Sequence, residues 1–237
     1  MEAAGYATLT RQSGLMREMQ IVANNIANAA TTGYRAEGLV FSEFVRRTGD
    51  GPSLSMTRGN IPVTSRAQGP LAQTGGPLDF AIEGEGFFLV ETPAGERLTR
   101  AGAFSLSANG DLVTSDGFRV LDAGGAPVFV PPDIRTPGLA ADGTLSGNGK
   151  PLAQLGLFRP TGDAALSRAG GNLYEAPAGV EPMLEGRIVQ GFLEGSNVEP
   201  MTQIARLIEV QRAYEMGQSF LETENQRVRD ALDTFTR

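Results

Sequence analysis

The sequence predicts an α+β protein, in which paired N- and C-terminal helices form a coiled-coil-like hairpin and a central β-rich domain is built from antiparallel hairpins. Glycine and proline, which mark turns, are concentrated between Gly49 and Gly195. Both ends are nearly free of these breakers and carry apolar residues at alternating steps of three and four. In the middle, short apolar segments alternate with turn signals, which is typical of strands.

The N-terminal helix is predicted over about residues 3–30. Its stripe has the spacing of a heptad seam, Leu15 and Val22 widen it, and Gly33 is a candidate C-terminal stop. The stripe consists of Leu9, Gln12, Met16, Met19, Ala23 and Ile26.

The C-terminal helix is predicted to begin near Pro200, because the first turn of a helix tolerates proline. A long stripe keeps an unbroken three-and-four register, which indicates a coiled coil. Gln211, Gln218 and Asn225 occupy this seam, where amides lower stability but specify register and partner. The stripe consists of Ile204, Leu207, Gln211, Tyr214, Gln218, Leu221, Asn225, Val228, Leu232 and Phe235.

Apolar residues outside the two stripes predict further contacts. Ile21 in the first helix, and Met216 and Phe220 in the second, are expected on the far side from the seam. A hairpin of two helices would leave them in water, so we expect each helix to contact more than one partner. The alternative is that they are ordinary exposed apolar residues. The predicted assembly interface comprises Met16, Met19, Ile21, Asn24, Asn25, Asn28, Ile204, Leu207, Gln211, Tyr214, Met216, Gln218, Phe220, Leu221, Asn225 and Val228.

The middle of the chain reads as a series of strands and turns. Leu78–Ile82 alternates with period two, and the apolar run Phe87–Val90 is typical of a buried strand. Asn109-Gly110 favours a hairpin turn, since both residues tolerate positive φ. Ala108–Leu112 is echoed by Ala141–Leu145, so both are predicted to be turns that lead into strands.

These patterns predict three parts. Residues 1–35 with 196–237 form a discontinuous helical assembly core, 36–75 with 180–195 form an extended connecting region, and 76–179 form a β-rich outer domain.

Composition excludes several classes of function. The net charge is −7 and Lys150 is the single lysine, whereas a surface that binds nucleic acid needs clustered Lys and Arg. The absence of Cys and His excludes thiol and imidazole catalysis, zinc sites of the usual kind and disulfides. The first residues lack the cationic and apolar regions of a signal peptide, and no apolar run reaches the ~18 residues that a membrane span needs.

Two glycine-rich segments do not support a nucleotide site. Gly84-Glu85-Gly86 lacks the third glycine of a dinucleotide loop. Gly149-Lys150 is followed by Pro151 where a phosphate loop needs Ser or Thr.

Acidic residues give equally weak signals. Glu83 and Glu85 are predicted on one face of a strand, as in a glycosidase pair, but a solvated strand face is the preferred interpretation. Asp111, Asp116 and Asp142 lack the ligand spacing of an EF-hand. The sequence therefore predicts no enzyme, no catalytic residue, no cofactor and no metal.

Several motifs follow one another in order along nearly the whole chain. They are Ala23–Asn28, Thr31–Ala36, Gly76–Ile82, Gly86–Phe88, Thr99–Phe104, Asn109–Val113, Gly191–Val198 and Gln211–Glu215. Taken together, these motifs resemble those of the flagellar rod and hook protein family, and their number and order make chance agreement improbable.

The resemblance implies a structural subunit of the flagellar basal-body rod. In such proteins a hairpin of terminal helices lines a narrow export channel, with β-rich domains outside. The expected partners are other rod proteins and copies of the chain itself, in heterologous contacts that produce a helical tube able to transmit torque. The resemblance also implies export through the flagellar type III apparatus without a cleaved signal peptide, and assembly in the periplasm.

Thr32–Ala36 and Leu193–Val198 are most similar to the proximal-rod branch of the family. A distal-rod or hook member is the nearest alternative. A tube subunit of an unrelated assembly, such as a phage tail or a secreted filament, would share the helices but not the Asn-rich block. A peptidoglycan-cleaving enzyme that uses Glu83 and Glu85 is the third alternative.

Overall fold

The computed structural model describes residues 2–46, 54–134, 136–162, 166–183 and 186–235, with the backbone alone described at 2–7, 41–46, 54–60 and 235. Contacts divide the chain into two compact units. The helical unit consists of Met1–Ala27, Glu37–Val63 and Glu199–Arg237, and the β unit of Asn28–Ala36 and Thr64–Val198. The α+β class is confirmed, while the predicted three-part division stays a prediction.

The helical unit contains both predicted helices. Helix α1 spans Glu2–Ala27 and helix α2 spans Pro200–Phe235. Strands β1, Glu37–Arg46, and β2, Leu54–Thr64, form a two-stranded sheet. Glu199 precedes α2 and holds its first turn, since its carbonyl accepts from the N–H of Gln203 at 3.1 Å and its carboxylate accepts from the hydroxyl of Thr202 at 3.0 Å.

Gly33 does not end the first helix, which stops at Ala27. A turn follows, in which the N–H of Thr31 donates to the carbonyl of Asn28 at 3.0 Å. Gly33 has a φ of +69°, and a Cβ there would lie 2.4 Å from the backbone nitrogen of Ala101. Glycine is therefore required for close backbone approach within the β unit.

The β unit is antiparallel throughout its described pairs. Its largest sheet has seven strands in the order β14-β15-β6-β5-β9-β8-β7, a second sheet has the order β10-β11-β12, and β13-β16, β17-β4 and β18-β3 pair in twos. The strands are β3 Leu71–Gln73, β4 Phe80–Glu83, β5 Phe88–Thr92, β6 Gly95–Thr99, β7 Phe104–Leu106, β8 Leu112–Thr114, β9 Arg119–Val120, β10 Gly138–Leu139, β11 Thr144–Gly147, β12 Lys150–Gln154, β13 Leu157–Pro160, β14 Ser167–Gly170, β15 Leu173–Glu175, β16 Val180–Met183, β17 Arg187–Gln190 and β18 Phe192–Glu194.

The predicted hairpin turns lie between paired strands. Strands β7 and β8 flank Asn109-Gly110 and pair with Leu106 opposite Leu112. The repeat of this motif separates β10 from β11, which pair with Leu139 opposite Leu145. Gly110 has a φ of +90°, whereas Asn109 has no positive φ, so the glycine alone supplies the left-handed conformation of this turn.

The apolar run around β5 is buried on both faces of the large sheet. Phe88 and Val90 belong to the larger core cluster, while Phe87 and Leu89 belong to a smaller one. Successive side chains of a strand point to opposite faces, so a continuous apolar run requires cover on both. The predicted buried strand is confirmed.

Candidate assembly interface

Polar contacts join α1 to the first half of α2. The side-chain amide of Gln12 donates to the carbonyl of Tyr214 at 2.8 Å. Arg206 Nε donates to Glu18 Oε1 at 2.7 Å. Asn25 Nδ2 donates to Gln203 Oε1 at 3.1 Å. The partner's number falls as the α1 number rises, so the helices run antiparallel.

Asn25 has no exposed surface and also holds the start of β1. Its Nδ2 donates to the Glu37 carbonyl at 2.8 Å, and its Oδ1 accepts from the Glu37 N–H at 3.0 Å. A buried amide is stable only when its donors and acceptors are satisfied, and here one side chain ties both helices to the strand.

The less exposed face of α2, which includes the α1 contacts of Gln203, Tyr214 and Gly217, repeats at steps of four and three. Val210 is buried, and the other members are half-buried. A Cβ at Gly217 would lie 2.2 Å from Gln12 Nε2, so a larger residue there would displace the Gln12 side chain. The face consists of Gln203, Leu207, Val210, Tyr214, Gly217, Leu221 and Glu224.

Large apolar side chains of α2 remain exposed beyond this face. Met201 is 76 % exposed and Met216 is 67 % exposed. Phe220 and Met216 line a groove of about 300 Å³, whose α1 side is formed by Leu15 and Gln12 among others. The exposed set comprises Met201, Ile204, Ile208, Met216, Phe220, Val228 and Leu232. A helix with this much uncovered apolar surface is typical of an interaction surface.

In the β unit, three of the motifs noted in the sequence meet at a buried ionic cluster. Glu194 accepts from Arg35 Nη2 at 2.9 Å and from Arg100 Nη1 at 3.0 Å. The Gly69 N–H donates to the same carboxylate at 2.9 Å. Burial lowers the pKa of Arg100 to about 10, against the attraction of Glu194, so Arg100 is charged at neutral pH.

Comparison with known proteins identifies the family of this chain. Models described as "Flagella basal body rod protein", "Flagellar hook protein FlgE/F/G D1 domain" and "Flagellar basal body rod FlgEFG protein C-terminal" match residues 7–35, 81–147 and 189–234. The chain is 39 % identical over 218 residues to the flagellar basal-body rod protein FlgF of Mesorhizobium japonicum, with 91 % of this chain and 90 % of the relative covered. The chain belongs to the flagellar basal-body rod protein family. It is also 38 % identical over 244 residues to FlgF of Caulobacter vibrioides, with 98 % of each covered, and 33 % identical over 238 residues to FlgG of Buchnera aphidicola, with 88 % and 90 % covered.

Four of the ten members of the predicted seam on α2 are displaced by one residue. Leu207, Tyr214 and Leu221 are half-buried, in line with their place in the predicted stripe. The predicted amide positions Gln211, Gln218 and Asn225 are exposed, and their places are taken by Val210, Gly217 and Glu224. The predicted and the observed stripes of α2 share every second member, and their other members differ by one residue. Both stripes therefore fit the three-and-four spacing. The pattern favoured Ile204, whereas the structure places Gln203 opposite Asn25.

Phe220 is also placed differently from the prediction. It lies at the rim of the groove between α1 and α2 and is 47 % exposed. Adjacent residues of a helix are 100° apart, so Phe220 is beside Leu221 rather than opposite to it. The side chain of Phe235, predicted in the seam, lies outside the described residues.

On α1, the predicted interface residues divide by burial. Asn25 is buried, Met19 and Ile21 are half-buried, and Met16 and Asn24 are exposed. Asn28 belongs to the β unit, where its side chain accepts from the Thr31 hydroxyl at 3.2 Å. The ion pair of Glu18 with Arg206 was not predicted, since 188 residues separate its members and single charges on helices carry no pairing signal.

The carboxylates that were weighed for catalysis are not arranged as predicted. Glu83 is the last residue of β4 and pairs with Arg187 at 3.2 Å. Glu85 follows Gly84, whose φ of +98° ends the strand, so the two glutamates do not share a strand face. Among the described residues, no group of three or more acidic side chains could hold a metal ion. No described helix is long and apolar enough to cross a membrane.

Proposed function

We propose that this chain is a structural subunit of the proximal part of the flagellar rod, and that it assembles axially through α1 and α2. In this proposal it binds copies of itself and other rod proteins, surrounds the export channel and transmits torque. The observation that carries the proposal is the exposed apolar surface of α2, on a chain that belongs to the rod protein family. A subunit that transmits torque needs large contacts with its neighbours rather than a pocket for a substrate.

The coiled-coil character of the helix pair belongs to the same proposal. Val228 is 44 % exposed, and it lies seven residues beyond Leu221, on the same face of α2. The face that packs on α1 therefore continues as apolar surface. A helix of a neighbouring subunit with the same spacing would cover it.

The exposed amides support a second contact. Gln211, Gln218 and Asn225 are spaced by seven residues and face solvent in the described chain. In a seam with a neighbour, such amides would specify register. We therefore propose that these amides specify the partner in contacts between subunits, and not in the pairing of the two helices of one chain.

Assignment to the proximal rod rests on Thr32–Ala36 and Leu193–Val198, which resemble that branch of the family. Relatives named FlgF are 33–39 % identical to this chain, and those named FlgG are 28–33 % identical. The distal rod is the alternative. Export through the flagellar type III apparatus without cleavage, and assembly in the periplasm, are part of the proposal. We propose no catalytic activity, cofactor or metal.

Phe220→Asp tests the assembly face. The variant and wild type are expressed in a strain that lacks the gene, and motility and isolated basal bodies are compared. Burial of an aromatic side chain contributes about 1.5–3 kcal/mol per interface, and a carboxylate there would cost more. We expect normal export, no motility and a rod that stops at the preceding component.

Phe220→Leu is the matched control, because it keeps an apolar side chain at the same position, and it should swim. A Phe220→Asp strain that swims like wild type would show that Phe220 is an ordinary exposed residue and would contradict the proposed interface.

A further inference from the structure

Residues 28–36 belong to the β unit by their contacts but not by chain continuity. The residues on either side of them, Ala27 and Glu37, belong to the helical unit, and the rest of the β unit begins at Thr64. This docking segment is therefore joined to the remainder of the β unit through the helical unit alone. Within the β unit it has the position of a bound peptide.

The backbone of the docking segment is hydrogen-bonded to residues that are distant in sequence. The Gly33 N–H donates to the Glu194 carbonyl at 2.7 Å, and the Tyr34 carbonyl accepts from the Asn197 N–H at 3.2 Å. The Ala36 N–H donates to Asn197 Oδ1 at 2.6 Å. Main-chain hydrogen bonds of this kind supply the affinity when a folded domain binds a peptide.

The hairpin of β14 and β15, at one edge of the seven-stranded sheet, binds the same backbone with three side chains. Asn172 Nδ2 donates to the Thr32 carbonyl at 2.6 Å. Arg168 Nη2 donates to the Arg35 carbonyl at 2.7 Å, and the Arg35 N–H donates to the Tyr174 hydroxyl oxygen at 3.1 Å. Together these contacts define a segment-binding site, which consists of Arg168, Asn172, Tyr174, Glu194 and Asn197.

Three consecutive residues of the docking segment give the site its sequence preference. A Cβ at Gly33 would lie 2.4 Å from backbone atoms of the β unit, so this position admits no side chain. Tyr34 is buried, and the guanidinium carbon of Arg168 lies 4.3 Å from its ring centroid. Arg35 is buried and pairs with Glu194 at 2.9 Å. The site is therefore selective for a segment that contains Gly-Tyr-Arg.

We propose that the β unit binds residues 28–36 as a separable peptide ligand, and that the same segment of a second copy fits the site once it is vacated. In the folded chain the site is occupied by the chain's own segment, because tethering gives that segment a high effective concentration. A copy whose own segment has undocked can accept that of a neighbour. The site includes no residue of α1 or α2, so its failure and that of the proposed assembly through the helices are distinguishable.

Hydrogen exchange of the full chain tests whether the segment undocks by itself. The amides of Gly33, Arg35 and Ala36 should share one opening equilibrium and exchange faster than those of β5 and β6. Arg168→Gln should speed their exchange at least about tenfold, because a hydrogen bond from a charged donor is lost. Arg119→Gln, at an exposed arginine in a surface ion pair, should leave it unchanged. Exchange of the three amides only together with β5 and β6 would overturn the proposal.

Binding of a labelled peptide of residues 28–37 tests whether the site accepts the segment from another molecule. Gly33→Ala in the full chain should displace the chain's own segment, and the peptide should then bind with saturation. The same peptide carrying Gly33→Ala is the matched control and should not bind, and the wild-type chain, whose site is occupied, should bind neither. If the variant chain is unfolded, the wild-type peptide should restore protection of the β5 and β6 amides. Absence of both saturable binding and restored protection would overturn the proposal.

Discussion

The two units differ in the exposure of their large apolar side chains. In the β unit, Phe88 and Val90 have no exposed surface and pack in a core shared by several sheets. In the helical unit, Met201 and Met216 are 76 % and 67 % exposed. The β unit has enough contacts of its own to exclude water, while α2 leaves a large apolar area in water.

This difference separates folding from assembly. Most helical stability in proteins comes from packing of an apolar face. Among the α2 side chains that the structure describes, Val210 alone is buried. The β unit is therefore expected to fold by itself, and the helices are expected to gain their final stability from neighbouring subunits.

The largest effect is expected from cutting the β unit at the boundaries that the sequence predicted for the outer domain. A fragment of residues 76–179 omits Ile188, which is 3 % exposed in the larger core, and Glu194. We expect it to be expanded and to unfold without a cooperative transition. A fragment of residues 28–198 should unfold cooperatively on heating, as measured by circular dichroism. Cooperative unfolding of the shorter fragment would mean that the core does not need β17 and β18.

Removal of Glu194 is expected to have the next largest effect. Glu194→Ala leaves two buried arginines without their shared carboxylate, which costs about 3–5 kcal/mol for a buried pair. Urea unfolding of the full chain measures the change. Glu91→Ala serves as control, because Glu91 pairs with Arg119 at 2.7 Å on the surface and its loss should cost about 1 kcal/mol or less. Similar losses in the two variants would contradict the role assigned to the buried cluster.

One pair of substitutions compares the units directly. Leu145 has no exposed surface in the β unit core, so Leu145→Ala should lower the free energy of unfolding by about 2–5 kcal/mol. Met216→Ala removes a side chain that is mostly in water and should change it by less than about 0.5 kcal/mol. Relative to the stability that each substitution costs, Met216→Ala should impair rod assembly more than Leu145→Ala does. Met216→Ala should therefore reduce motility in cells. A stability loss above about 1 kcal/mol for Met216→Ala would mean that the groove is a folded core.

Local patterns predicted much of this fold. The helices, the buried strand at Phe87–Val90 and the turn at Gly110 follow from periodicity and turn chemistry over a few residues. The family motifs identified the protein class, and the comparisons confirm it.

Contacts between distant residues could not be predicted in the same way. Alternate members of the α2 seam were predicted one residue too late, because the neighbouring stripe has the same spacing. The contact of Asn25 with Gln203, which marks the observed stripe, joins residues 178 positions apart. The cluster of Arg35, Arg100 and Glu194 is likewise held by backbone topology rather than by any local pattern. A single sequence does not specify which charges meet.

Hydrogen exchange on dilute protein, verified as a monomer by sedimentation, tests the central claim most directly. We expect strong protection of the amides in β5 and β6 and exchange near the intrinsic rate over most of α1 and α2, because helices without sufficient packing open readily. In assembled rods the same helical amides should be protected. Strong protection of residues 3–27 and 200–235 in the verified monomer would contradict the claim that the helices need neighbouring subunits.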